Sequence, residues 1–117
     1  MKIKINNTFV GDKFPTYFIA DIAANHDGSL SRAKKLIKLC AKAGANAAKF
    51  QHFKAETIVS DFGFRKMSKL THQKKWKKSV FQVYQEASIN PKWNSELKKY
   101  VFQFYIYHMF FLILNSI

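Results

Sequence analysis

The first half of the chain contains two short apolar segments separated by one amphipathic segment. Residues 16–25 and 47–53 are apolar runs of strand length, bounded by polar or turn-forming residues, which is typical of buried strands. Ser29 is the predicted N-cap of a helix between them, and Gly44 is its predicted C-terminal stop. Apolar side chains recur along this helix with three- and four-residue spacing, at Leu30, Ala33, Leu36, Ile37, Cys40 and Ala43.

A strand, a helix and a second strand joined by short connections predict a βαβ unit. Parallel neighbouring strands need such a crossover, and the crossover is right-handed in nearly every known case. The pattern therefore predicts an α/β protein with a parallel sheet. At 117 residues the chain is shorter than an eight-stranded α/β barrel, which usually needs about 250 residues.

The flanking segments predict further elements. The opening KIKINN predicts a short edge strand, followed by a turn around residues 11–12. Residues 54–67 carry loop-like signals, whereas residues 71–87 show a second helical pattern with one apolar face. Asn90 followed by Pro91 predicts the start of another helix, because a capping residue is followed by a proline in the first turn.

The last seventeen residues differ in composition from everything before them. VFQFYIYHMFFLILNSI contains no Lys, Arg, Asp or Glu, and it is mostly aromatic and aliphatic. It also lacks Gly, Pro and Asp, so the pattern predicts no turn and no third strand after the last helix. We therefore divide the chain into an α/β segment, residues 1–100, and an apolar tail, residues 101–117.

The chain is strongly basic. Lys and Arg outnumber Asp and Glu by 20 to 7, which gives a formal net charge of +13. That charge attracts polyanions such as nucleic acid, acidic lipid or phosphorylated metabolites without choosing among them. The single cysteine, Cys40, lies on the apolar side of the predicted helix and is expected to be a packing residue. A lone cysteine and the lack of a secretory signal at the start predict a cytoplasmic protein.

A lysine lies inside the second predicted strand, where an unpaired ammonium is costly. Side chains alternate faces along a strand, so Lys49 shares a face with Gln51, and Asp21 shares a face with Asn25. One explanation is a buried ion pair between Lys49 and Asp21. The other is an anionic ligand, because binding sites form at the carboxyl ends of parallel strands, where Lys49, Gln51, Asn25 and His26 converge. The two explanations are compatible, and the residues alone leave both open.

Two histidines, His26 and His52, are candidates for metal ligation. Without a third ligand at a recognisable spacing they are expected to be loop or packing residues. The sequence contains no GxGxxG, GxxxxGK[ST], HExxH or CxxC motif. It therefore gives no support for a dinucleotide, P-loop, zincin or zinc-ribbon site.

Two short motifs carry a resemblance to a known family. NHDG, residues 25–28, follows the first predicted strand, and KFQ, residues 49–51, lies in the second. With the sequence around them they resemble the N-terminal segment of the N-acetylneuraminate (sialic acid) synthase family, which includes the legionaminic and pseudaminic acid synthases. The resemblance covers roughly residues 15–100, more weakly toward its end.

The resemblance implies the N-terminal βα units of a TIM (β/α)8 barrel, here truncated. Enzymes of this family condense phosphoenolpyruvate with an N-acetylated amino sugar such as N-acetylmannosamine, releasing phosphate and giving a nine-carbon 2-keto acid. By the resemblance, Lys49 holds phosphoenolpyruvate, and Asp21, at a position that is commonly glutamate, is catalytic near the reacting carbons. Gln51, Asn25 and His26 are the further substrate-binding candidates at the same strand ends.

The resemblance also implies groups that these residues do not supply. A divalent metal, Mn²⁺ or Mg²⁺, polarises the sugar aldehyde in this family. Its histidine ligands, most phosphate-holding serines and the C-terminal antifreeze-like domain come later than this chain extends, so the chain is expected to be inactive alone. Family members dimerise.

Because the tail departs from the family's third strand and is rich in residues with AT-rich codons, we hypothesise a change of reading frame near Tyr100.

Two other functions are compatible with the residues. The alternative is a small basic protein held at a membrane by its apolar tail, although a tail interrupted by Gln103 and His108 is short for a span. Nonspecific nucleic-acid binding through KKWKK, residues 74–78, is a weaker explanation, because Trp76 is expected to pack on the apolar face of its helix. No specific nucleic-acid partner is expected.

Overall fold

The computed structural model describes residues 1–5, 8–60, 62–63, 77–103 and 110–115. Three strands form a parallel sheet in the order β3-β4-β5, and two others form a separate antiparallel sheet. This combination of a parallel sheet with helices confirms the predicted α/β class. The elements are β1 Lys2–Ile5, β2 Thr8–Gly11, β3 Ile19–Ala23, α1 Leu30–Lys42, β4 Ala47–His52, α2 Ala55–Ile58, α3 Val80–Ala87, α4 Trp93–Gln103 and β5 Phe110–Asn115.

The predicted βαβ unit is present as β3, α1 and β4. β3 runs parallel to β4, and Ile19 pairs with Ala47 at the start of the two strands. α1 begins after Ser29, whose Oγ accepts a hydrogen bond from the Arg32 backbone N–H at 3.3 Å. This bond satisfies one of the N–H groups that a helix leaves without a partner in its first turn. The predicted N-cap is thus confirmed.

The C-terminal end of α1 also lies where the sequence predicts it. The Gly44 N–H donates to the Ala41 carbonyl at 3.0 Å, and the Ala45 N–H reaches back to the Cys40 carbonyl at 3.1 Å. This pair of bonds is the Schellman arrangement, which needs a residue in the left-handed region directly after the helix. Gly44 fills that position with φ of +83°.

β1 and β2 form a hairpin of their own. Lys2 pairs with Gly11, and the ammonium groups of Lys2 and Lys4 lie 4.5 and 5.6 Å from the centroid of the Phe9 ring. The Phe14 N–H donates to the Gly11 carbonyl at 3.0 Å, which is the predicted turn. The predicted opening strand therefore exists, but it pairs within the hairpin and not at the edge of the parallel sheet.

The core lies between one face of the parallel sheet and the helices α1 and α4, which contact each other. Cys40 packs against this core, and burial raises the pKa of its thiol, so the expectation of a packing residue is confirmed. The buried side chains of the core come from β3, β4, both helices and the segment before α4, and they are Ile22, Ala33, Ile37, Ala48, Phe50, Ile89, Leu97 and Val101.

Of the two later helices, α4 begins close to its predicted position, whereas α3 begins at Val80, nine residues after the predicted start at Thr71, and residues 77–79 are not helical. Ser79 caps α3 in a reciprocal capping box with Gln82. Before α4, the Asn90 side-chain oxygen accepts a hydrogen bond from the Lys92 N–H at 3.0 Å, as a capping residue does. Residues 71–76 of the predicted second helix lie outside the described residues.

β5 is the main difference from the sequence-based expectation. It runs parallel to β4 along the whole strand, from Ala47 paired with Phe110 to His52 paired with Asn115. Aromatic and aliphatic residues suit a pleated surface, and β4 offers a second edge for backbone hydrogen bonds. The expectation of no third strand is therefore wrong, while the division of the chain at residue 100 stays a prediction. α2 also differs from the expectation, since it lies in a segment predicted to be loop. Four residues are too few to show a helical period in the sequence.

The end of α1 gives a direct test of the local fold. Replacing Gly44 by Ala is expected to lower the unfolding free energy by about 1 kcal/mol, because an L-residue is strained at positive φ. No atom lies within 4 Å of the added Cβ, so a steric clash does not contribute. Urea unfolding of G44A against the matched variant G44N measures the effect, since Asn tolerates this conformation better. Equal losses in the two variants would contradict the account.

Candidate functional site

Lys49 and Asp21 form an ion pair across the two central strands of the βαβ unit. They are register partners in β4 and β3, and Lys49 Nζ donates to Asp21 Oδ2 at 2.6 Å. The side chains are 27% and 53% exposed, respectively. The pair predicted from the sequence is thus present, but the expectation that it is buried is wrong, because both side chains keep contact with solvent.

The exposure of the pair limits what it contributes to stability. Ion pairs in contact with water typically stabilise a fold by about 0–1 kcal/mol. The small stabilisation that the pair gives the fold therefore does not explain why a lysine lies in the middle of a strand. What it does provide is position, since a carboxylate bonded to the ammonium fixes the end of a flexible side chain.

The two faces of β4 differ as the alternation rule predicts. Phe50 is fully buried and His52 is 8% exposed, on the side covered by helices. Lys49 and Gln51 alternate with them, and Gln51 is exposed. The structure therefore brings Lys49, Asp21 and Gln51 to one open face, which we call the open sheet face.

β3 departs from simple alternation at its end. Asp21 pairs with Lys49, but the next residue of β4, Phe50, pairs with Ala23, so one extra residue is inserted in β3. Ala23 has φ of 49°, in the left-handed region. Such a bulge bends the strand and changes which face the following side chains reach. The prediction that residues beyond Asp21 continue on its face therefore does not hold.

Asn25 lies in the turn that follows this bulge. Its Nδ2 donates to the Ile22 carbonyl at 3.0 Å, and its own carbonyl accepts from Arg32 Nε at 2.7 Å. Arg32 also pairs with Asp27 at 3.2 Å, so it joins the start of α1 to the turn. Asn25 is exposed, and its two hydrogen bonds stabilise the turn at the carboxyl end of β3.

His26 is placed differently from the other candidate residues. It is fully buried, and its ring meets the Trp93 ring edge-on at 5.8 Å, on the side covered by α4. Its Nδ1 accepts a hydrogen bond from the Gly28 N–H at 3.1 Å. Burial lowers the pKa of His26, while the neighbouring Asp27 carboxylate opposes the shift. The structure therefore does not bring His26 together with Lys49 on the open sheet face.

His52 is the second buried histidine. Burial lowers the pKa of its imidazole, and the nearby His26 lowers it further.

Across the part of the chain that the structure describes, no three His, Cys, Asp or Glu side chains gather as a metal site requires. These residues do not fit the divalent metal that the family resemblance implies. Its ligands must be sought outside them.

One buried polar group at this end of the sheet was not singled out by the sequence. Asn94 lies in the first turn of α4, and its Oδ1 is buried without a hydrogen-bond partner among the residues that the structure describes. Sequence reasoning identified Asn90 as the cap of this helix and had no signal for Asn94, because burial of a first-turn side chain depends on which segment packs against it.

Comparison with models of protein families tests the resemblance found in the sequence. A model of the NeuB family matches residues 36–110, more than half of the chain. The chain belongs to the NeuB family. The matched residues include KFQ in β4, and they extend through α4 to the first residue of β5. The resemblance to the sialic acid synthases is thereby confirmed.

Curated relatives of this NeuB-family chain are considerably longer. The spore coat polysaccharide biosynthesis protein SpsE of Bacillus subtilis is 35% identical, over 83% of this chain and 25% of that protein. The N,N'-diacetyllegionaminic acid synthase of Campylobacter jejuni is 38% identical, over 70% of this chain and 24% of that protein. The chain spans about a quarter of the length of these relatives.

Solved structures of longer proteins contain the same fold. The N-acetylneuraminic acid synthetase of Leptospira borgpetersenii superposes with a TM-score of 0.76, at 22% identity, over 100% of this chain and 35% of that one. SpsE of Bacillus subtilis superposes with a TM-score of 0.65, at 31% identity, over 97% of this chain and 27% of that one. The predicted fold, the N-terminal βα units of a TIM barrel, is confirmed. The described strands do not close a barrel by themselves.

The membrane alternative receives no support from the helices. Among those in the described ranges, none combines the length and the apolar character needed to cross a bilayer. Part of the apolar tail, Phe110–Asn115, is a strand of the parallel sheet.

The buried histidines predict a loss of stability in mild acid. The pKa values of His26 and His52 are lowered in the folded state from 6.5, so below pH 6.5 the unfolded chain binds more protons. The free energy of unfolding is therefore expected to fall as the pH drops below 6.5, until the folded-state pKa values are reached. The largest slope is about 1.4 kcal/mol per pH unit for each histidine.

Urea unfolding at about pH 7.5 and about pH 5.5 measures this slope across the range in which histidine titrates. The double variant H26Q/H52Q is the matched control, because glutamine retains polar groups and does not titrate. The difference in stability between the two pH values should shrink in the double variant. An unchanged difference would assign the pH dependence to other groups.

Proposed function

We propose that this chain supplies the first βα units of a barrel that condenses phosphoenolpyruvate with an N-acetylated amino sugar to a nine-carbon 2-keto acid. Such a reaction belongs to carbohydrate biosynthesis. The observation that carries the proposal is the Lys49–Asp21 pair at 2.6 Å on the open face of a parallel sheet in a NeuB-family chain. In barrels this face points to the lumen, and sites form where its strands end.

Lys49 is the proposed phosphoenolpyruvate-binding residue. An ammonium has three N–H donors, and one of them is bonded to Asp21. The remaining donors suit the phosphate or carboxylate oxygens of an anionic substrate. Asp21 holds the ammonium in place and partly offsets its charge. The ammonium is therefore paired before the substrate binds, and its remaining charge still attracts an anion.

Asp21 and Gln51 are the proposed contacts on either side of this ammonium. Asp21 is proposed to act near the reacting carbons, where a carboxylate stabilises developing positive charge. Gln51, exposed on the same face, offers an amide that both donates and accepts, as hydroxyl and N-acetyl groups of an amino sugar require.

Asn25 and His26 are proposed to shape the turn that borders the site. Asn25 remains a candidate substrate contact because it is exposed at the strand end. The burial of His26 and its bond from the Gly28 N–H support a positioning role for it instead of direct contact. The metal, Mn²⁺ or Mg²⁺, would polarise the sugar aldehyde from ligands outside the described residues.

The proposed activity needs more of the barrel than these residues form. The chain spans about a quarter of its relatives, and β3, β4 and β5 leave the lumen face open. The remaining βα units must therefore come from further sequence or from another chain. We expect a cytoplasmic enzyme, and we expect no turnover from residues 1–117 alone.

A chimera tests the proposal. Residues 1–115 replace the superposed segment of the Leptospira borgpetersenii synthetase, and phosphate release is measured with phosphoenolpyruvate, N-acetylmannosamine and Mn²⁺. The chimera should turn over, and K49M should lower kcat/KM by about a hundredfold or more, because a charged hydrogen bond to substrate is lost. The control is K35M, which removes an equal charge from the exposed side of α1. Equal losses in the two variants, or robust turnover by the isolated chain, would contradict the proposal.

Asp21 is tested in the same chimera. D21N keeps the shape of the side chain but removes its charge, so Lys49 loses its anionic partner, and kcat is expected to fall about tenfold or more. D21E keeps the charge and is expected to retain activity. Activity retained in D21N but lost in D21E would show that the length of the side chain decides, and that the charge does not.

A further inference from the structure

The chain turns sharply at the carboxyl end of β3, and two residues there have unusual backbone angles. Ala23 and Asp27 have φ of 49° and 48°, in the left-handed region that residues other than glycine seldom adopt. Such angles persist only where the surrounding structure holds them. Asn25 lies between these two residues, so the bonds that hold the turn also fix the position of Asn25.

Arg32, in the first turn of α1, is bonded to two residues of this turn. Its Nε donates to the Asn25 carbonyl at 2.7 Å, and its Nη2 lies 3.2 Å from Asp27 Oδ2. The backbone N–H of Arg32 donates to Ser29 Oγ, so the start of the helix fixes the base of this side chain. A guanidinium presents its donors in a rigid planar fork. Arg32 therefore links α1 to the turn in a defined geometry.

These bonds contribute more to position than to stability. The side chains of Arg32 and Asp27 are 54% and 67% exposed, respectively. An exposed ion pair stabilises a fold only slightly, because water competes for both charges. The bond to the Asn25 carbonyl has a further consequence, since a fixed carbonyl limits the directions that the Asn25 side chain can take.

The side chain of Asn25 has one polar atom left for a ligand. Its Nδ2 donates to the Ile22 carbonyl at 3.0 Å, whereas its Oδ1 has no hydrogen-bond partner among the described residues. An amide oxygen only accepts hydrogen bonds. Phosphoenolpyruvate at neutral pH offers mainly acceptor oxygens, but an N-acetylated amino sugar offers hydroxyl and N–H donors. Asn25 Oδ1 therefore suits the amino sugar and does not suit phosphoenolpyruvate.

We propose that Asn25 Oδ1 accepts a hydrogen bond from the amino sugar, and that Arg32 is a positioning residue that holds Asn25 for this contact. The inference rests on the proposed function, because it concerns a substrate of the same site. Arg32 acts through the bond from its Nε to the Asn25 carbonyl. The exposed ion pair with Asp27 contributes less.

The test uses the chimera described above and measures KM separately for each substrate. R32M and R32Q both remove the charge, but only glutamine keeps an N–H donor at the position of Arg32 Nε. R32M should raise the KM for N-acetylmannosamine about three- to tenfold, as for one lost hydrogen bond, and leave the KM for phosphoenolpyruvate unchanged. R32Q should keep both KM values within about twofold of wild type. Equal rises in R32M and R32Q would overturn the proposal.

A double-mutant cycle tests whether Arg32 acts through Asn25. N25A should raise the KM for N-acetylmannosamine about as much as R32M does, and R32M should add nothing to N25A. Additive effects, or a rise of both KM values in R32M, would overturn the proposal, because Arg32 would then support the site as a whole. If R32M does not fold, R32L takes its place, and an unchanged KM for the sugar overturns the proposal in the same way.

Hydrogen exchange in the full chain separates this inference from the proposed function. The backbone amides of Asn25 and Asp27 donate to the Ile22 and Ala24 carbonyls. In R32M they should exchange about three- to tenfold faster than in wild type, whereas R32Q should match wild type. A wild-type chimera without turnover would count against the proposed function alone. Unchanged exchange in R32M would overturn the role of Arg32 whether or not the chimera is active.

Discussion

The pair between Lys49 and Asp21 is the interaction on which the functional account depends. Parallel strands place register partners side by side, and alternation sends every second side chain to the same face. Those two rules bring a lysine and a carboxylate within 2.6 Å while Phe50 and His52 enter the covered side. One face of the sheet is therefore available to stabilise the fold, and the other is available for chemistry.

The βαβ unit could be predicted from the sequence because each of its signals is local. Ser29 and Gly44 mark the ends of α1 through bonds to residues a few positions away. β5 could not be predicted in this way, since a strand at a free edge forms through pairing with residues about sixty positions earlier. The sequence carries the propensity of residues 110–115 for a strand but not the partner.

The sequence predicted the positions of the candidate residues within the strands, but it did not predict the positions of those in the turn after β3. Lys49, Asp21 and Gln51 share a face because alternation within a strand needs only the sequence. The bulge at Ala23 changes the direction of the chain, and His26 then becomes part of the core beside Trp93. His26 therefore lies apart from the open sheet face that carries Lys49 and Asp21.

The most direct test of the central claim is a crystal structure of the chimeric barrel with phosphoenolpyruvate bound. The account predicts that Lys49 Nζ lies within about 3 Å of a phosphate or carboxylate oxygen of phosphoenolpyruvate, as charged hydrogen bonds require. It also predicts that Asp21 still contacts the ammonium. Phosphoenolpyruvate bound elsewhere in the barrel, with the Lys49–Asp21 pair unchanged and remote from it, would contradict the account.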